Sequence, residues 1–96
     1  MIVERWEFHI KLGKFDDALE LVEDARKNVY PEFSLRIYSS AWGTMNTLVF
    51  DGDFKDMAEH DKLWEKVSAK EEWGVYLNKL YELTDGPFTH TLWNLL

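Results

Sequence analysis

A chain of 96 residues with a net charge of −7 and no cysteine has room for one small domain, residues 1–96. It lacks the cationic surface that nucleic acids require, and it can form no disulfide, thiolate nucleophile or Cys-ligated metal site. The acidic balance also disfavours anionic membranes, no apolar run nears the roughly 20 residues of a bilayer span, and no basic segment followed by an apolar run marks a secretory signal, so a cytoplasmic setting is expected.

Ile2 to Leu12 alternates. Ile2, Trp6, Phe8, Ile10 and Leu12 share one parity, and Val3, Arg5, Glu7, His9 and Lys11 the other, which predicts a strand with one apolar and one polar face. Glu4 falls on the apolar side and reads as a polar residue tolerated near a strand end. Gly13 supplies a turn. Phe15 to Asn28 follows with Ala18, Leu21, Val22 and Ala25 at helical spacing, Asp16 and Asp17 early, Arg26 and Lys27 late, the charge order that suits a helix dipole. Pro31 ends this helix.

A second strand is expected over about Ser34–Ser40 and a third over about Gly43–Asp51, joined by a short link through Ser40, Ala41 and Trp42. Asp51-Gly52-Asp53 reads as a turn, and Asp53 as the N-cap of a second helix, Phe54 to about Ala69. The stripe of that helix is Met57, His60, Leu63, Trp64 and Val67. Glu71 to Leu83 carries Trp73, Tyr76, Leu77 and Leu80 at similar spacing, and Asp85-Gly86-Pro87 breaks it. Phe88 to Leu95 closes the order as a fourth strand, with Phe88, His90, Leu92 and Asn94 on one face.

The order β-α-β-β-α-α-β is an α+β, ferredoxin-like split βαβ pattern with one helix added. Right-handed crossovers place the helices on one face of a four-stranded antiparallel sheet. The other face is left bare and is expected to carry several aromatics, for which a second copy is the commonest cover.

Ile10-Lys11-Leu12-Gly13-Lys14 at the strand-to-helix turn, Asn46 in the expected third strand, Phe54 eight residues on, and Glu72-Trp73 followed by Tyr76-Leu77 resemble the dimeric α/β barrel superfamily. Within it they resemble the NIPSNAP-like and antibiotic-biosynthesis-monooxygenase-like group. Such proteins often read Arg-Thr-Tyr-Thr-Leu along strand one and Pro-Gly-Lys at the turn. Here Trp6-Glu7-Phe8-His9-Ile10 and Leu12-Gly13-Lys14 stand there, so no ligand role passes to an Arg or Tyr at those positions. The resemblance implies a homodimeric α/β barrel. The superfamily includes cofactor-independent monooxygenases, haem-degrading enzymes, isomerases and members without known activity.

His60 is the one candidate catalytic residue, a base or axial ligand if its stripe faces the sheet. A core histidine satisfied by one hydrogen bond is the plainer reading. His9 lies on the polar face beside Arg5 and Glu7, and His90 on the last strand has no partner visible in sequence. Arg5, Glu7 and Arg36 read as cross-strand charge pairs inside a dimer, and Asp16-Asp17 and Glu71-Glu72 as solvated helix starts. No histidine spacing suits a metal, and no Gly-rich loop or serine elbow is present, so neither metal nor cofactor is expected. Trp6, Phe8, Asn46, Phe50, His60, Trp64, Trp73 and Tyr76 form the expected ligand pocket, aromatic enough for a small flat hydrophobic ligand, although the same aromatics would serve as core. Two functions stand side by side: a small-molecule binder with a cofactor-independent, oxygenase-like activity on an aromatic or polyketide-like compound, and a non-catalytic dimeric structural or interaction module.

Overall fold

The computed structural model describes residues 1–96. Strands β1 (Ile2–His9), β2 (Leu35–Ser39), β3 (Thr47–Phe54) and β4 (Thr89–Asn94) and helices α1 (Phe15–Asn28), α2 (Met57–Ser68) and α3 (Glu71–Leu83) follow in the order β1-α1-β2-β3-α2-α3-β4. The strands form one antiparallel sheet, β2-β3-β1-β4. The fold is α+β and ferredoxin-like, as the order of patterns predicts. No helix is long and apolar enough to cross a membrane.

Period-two alternation decides which side chains meet the helices. Trp6 lies opposite Phe50 and Phe8 opposite Leu48, so the apolar parity of β1 and that of β3 share one face. Against it pack Ala18, Val22 and Ala25 of α1, Val67 of α2, and Tyr76 and Leu80 of α3, all buried. Each large aliphatic side chain fully withdrawn from water here contributes about 1.5–3 kcal/mol. Arg26 fastens α1 to the sheet by donating to the Leu35 carbonyl at 2.6 Å. Lys70, before α3, donates to the Val29 carbonyl at 2.8 Å and pairs with Glu32.

Several sequence expectations are corrected. β1 stops at His9; beyond it Ile10 makes one isolated bridge to Thr84, and Lys11 N–H donates to the Leu83 carbonyl at 2.9 Å, so the end of α3 takes over from a sheet partner. The β2–β3 link is longer than the three residues expected, running from Ser40 to Asn46. Asn46 therefore leaves strand three: it adopts φ 56°, a left-handed conformation that Asn tolerates, and its carbonyl accepts from Ile10 N–H at 2.7 Å.

Asp51-Gly52-Asp53 is no turn. All three lie within β3, where tertiary pairing on both sides overrides the local turn tendency. The N-cap of α2 is accordingly Asp56, whose side chain accepts from Glu59 N–H at 2.9 Å, rather than Asp53. Nor is the open face of the sheet rich in aromatics. Trp6, Phe8 and Phe50 look toward the helices, while the open face presents Arg5, Glu7, His9, Arg36, Asp51 and Asp53, with Tyr38 and Trp93 exposed among them.

On that face Arg5 grips Asp51 with two parallel bonds, 2.8 and 2.9 Å, and Arg36 pairs with Asp53. The arginines are thus paired within one chain, to aspartates of β3, rather than in the charge pairs inside a dimer that the sequence suggests. Glu7 takes no part. The Arg5 bond holds the Asp51 carboxyl below the usual carboxylate range.

Candidate functional site

Between sheet and helices lies a partly open cavity of about 100 Å³. Its floor follows from one glycine. Gly52 sits in β3 between Glu4 of β1 and Leu35 of β2, and a Cβ there would stand 3.1 Å from Leu35 Cδ2 and 3.3 Å from the Phe54 ring. With no side chain at Gly52, the Leu35 side chain and the Phe54 ring close down over the strand there, and both line the cavity. Thirteen of the fifteen lining residues are hydrophobic.

Of the eight pocket residues expected from sequence, Trp6, Phe8, Phe50, Trp64, Trp73 and Tyr76 all line this cavity. Trp64 and Trp73 meet edge-on at 5.2 Å, and Trp73 stands 5.6 Å from Tyr76, within the range of favourable aromatic pairs. Asn46 does not line it, because its loop lies beyond the end of β3. His60 does not line it either. It stands behind the wall, edge-on to Phe54 at 4.9 Å.

The polar centre of the wall is Glu4, only 3% exposed. Trp64 Nε1 donates to its Oε1 at 2.6 Å, while His90 Nε2 at 2.6 Å and His60 Nε2 at 3.2 Å both approach Oε2. A buried carboxylate is tolerable only with such partners. His60 also faces Asp61 through Nδ1 at 3.0 Å, so both ring nitrogens are committed to carboxylates. Burial works against its charged form, but the hydrogen bonds to Asp61 and Glu4 outweigh this and raise its pKa. His90 stacks flat on Trp6 at 3.7 Å between ring centroids and remains 39% exposed along its side chain, joining the buried carboxylate to the surface. His9, by contrast, lies on the open face, 3.4 Å from the Thr47 hydroxyl.

A second polar feature is the buried pair Tyr30–Tyr76, hydroxyl to hydroxyl at 2.9 Å. Two hydroxyls that bond to one another use one proton and leave the other without an acceptor. Burial pushes the Tyr30 phenol up to about 12 and the Tyr76 phenol up as well, so both remain protonated donors.

Glu4 is the polar group of the cavity wall that sequence reasoning missed. Its signal was present: a carboxylate on the apolar parity of a strand, with a histidine and a tryptophan on the stripe of a later helix. Tyr30, Phe33, Leu35 and Gly52 also line the cavity; Tyr30 and Phe33 fall in the loop after α1, where no periodicity marks a facing direction.

No family model matches the sequence, and no curated protein matches it. Solved structures do. A NIPSNAP domain protein from Burkholderia xenovorans superposes with a TM-score of 0.88 at 19% identity, over 100% of this chain and 95% of that one. A NIPSNAP family protein from Agrobacterium tumefaciens gives 0.82 at 14%, over 97% and 90%. A putative antibiotic biosynthesis monooxygenase from Nitrosomonas europaea gives 0.77 at 14%, over 100% and 99%. The chain shares the fold of these proteins.

Proposed function

We propose that this protein binds a small, flat, mostly apolar molecule in the sheet–helix cavity, and that it does so as a homodimer. The cavity itself carries the reading. An aromatic-walled space of about 100 Å³ approaches the engineered apolar cavity of about 150 Å³ that admits benzene, and its partial opening gives a ring somewhat more room. Convergent polar groups in an otherwise apolar pocket are the usual means of orienting a ligand. Here they are the Glu4 carboxylate and the surplus hydroxyl proton of the tyrosine pair.

Dimerisation is supported by the one-sided covering of the sheet and by Tyr38 and Trp93 exposed on its open face. An interface of about 1,600 Å² in total would be of ordinary size. An oxygenase-type reaction on an aromatic or polyketide-like compound is the first activity to assay, since a fold neighbour is described as a putative antibiotic biosynthesis monooxygenase. One observation favours the non-catalytic alternative. His60, the imidazole expected to act as base or axial ligand, has both nitrogens held by carboxylates.

Titration with single-ring and fused-ring aromatics and with haem, read by tryptophan fluorescence, tests the binding reading, because Trp6, Trp64 and Trp73 line the cavity. A saturable change with the small aromatics is expected. No response to any of them overturns the reading. Sedimentation at micromolar concentration should give twice the chain mass; a single-chain mass overturns the dimer.

A further inference from the structure

We propose that the ligand carries an aromatic hydroxyl or amine, whose O–H or N–H donates to Oε1 of Glu4. The inference rests on the binding reading above and adds the chemistry that selects the ligand. An ionised carboxylate offers about four lone-pair sites. Oε2 receives both histidines, whereas Oε1 receives the Trp64 N–H alone. One acceptor site is therefore left, on a carboxylate that is nine-tenths buried or more and forms part of the cavity wall. The strand position opposite it on β3 is Gly52, which presents no side chain of its own to the carboxylate.

The rest of the wall around Glu4 narrows the class. Trp6 and Trp64 flank it with aromatic surface, which favours a flat ring carrying the donor over an alkyl chain. The Trp64 N–H and both imidazoles already approach the carboxylate, and the ligand's O–H or N–H adds one further hydrogen bond to it. A hydrogen bond to a charged acceptor in an apolar site is stronger than one between neutral groups. An anionic ligand is disfavoured by Glu4 itself. An ether oxygen in place of the hydroxyl has no proton to give.

The test compares phenol and aniline with anisole and toluene, on the wild-type chain and on Glu4→Gln, with dissociation constants read by tryptophan fluorescence and calorimetry. On the wild-type chain phenol and aniline should bind about tenfold more tightly than anisole and toluene, the margin that one charge-assisted hydrogen bond supplies. In Glu4→Gln that margin should fall below about threefold, with toluene affinity little changed. The anisole comparison needs no variant, so it decides the matter even if Glu4→Gln does not fold. Equal binding of all four probes overturns this inference and leaves the binding reading standing. A preference for phenol that survives Glu4→Gln removes Glu4 as the acceptor. Binding of none of the four overturns both.

Discussion

Replacing Tyr30 and Tyr76 by phenylalanine, singly and together, tests the energetics of the cavity wall. Both phenols are buried and bonded to one another at 2.9 Å. Either single change deletes one hydroxyl and strands the other among aromatic rings, at a cost of about 1–3 kcal/mol for an unsatisfied buried polar group. The double change removes both hydroxyls and keeps the ring shapes, which is nearly neutral by the same reasoning. The two singles should therefore sum to about 2–6 kcal/mol while the double lies within about 1 kcal/mol of wild type. Thermal unfolding at one fixed protein concentration reads this directly, since about 1 kcal/mol shifts the midpoint of a domain this size by about 4–8 °C. Additive losses, with the double variant less stable than either single one, would refute the pairing argument.

Leu48, fully buried in the central pair of strands, should lose about 2–5 kcal/mol as Leu48→Ala in denaturant unfolding. Asp56→Ala removes the cap that accepts from Glu59 N–H and should cost about 0.5–2 kcal/mol, with helix content otherwise retained by circular dichroism. The raised pKa of His60 sets a sign: its stabilisation is complete below the ordinary value of 6.5 and is lost as pH rises through the folded value. His60→Gln should therefore differ most from wild type on the acid side and converge with it as pH increases. Asp51 has the opposite sign. Its lowered pKa stabilises the fold above the ordinary carboxylate range and is lost as pH falls through the folded value, so Asp51→Asn and wild type should converge in acid.

Periodicity was a reliable guide wherever one face of an element is buried. The helices at Phe15–Asn28 and Glu71–Leu83 fall where the apolar stripes predict them, and six of the eight pocket residues share the cavity because stripe and strand parity already faced them inward. The failures have a common cause. Asp51-Gly52-Asp53 looks like a turn in isolation, but β3 is hydrogen-bonded on both sides, and pairing between distant strands outweighs the preference of three residues. Glu4 seemed tolerable only as a strand-end exception. The groups that make its burial possible are separated from it by 56, 60 and 86 positions, and no local pattern connects them. Asn46 was misplaced with the boundary of β3, since a left-handed residue ending a loop has no alternating neighbours to reveal it.

The position of β1 in the middle of the sheet has a kinetic consequence. Its partners begin at residue 47 on one side and 89 on the other, so this first strand cannot complete its ladder until nearly the whole chain has emerged. Contacts so distant in sequence slow folding. During synthesis Trp6 and Phe8 are displayed on an unpaired template, a period in which strand-to-strand capture by another nascent copy competes with native closure.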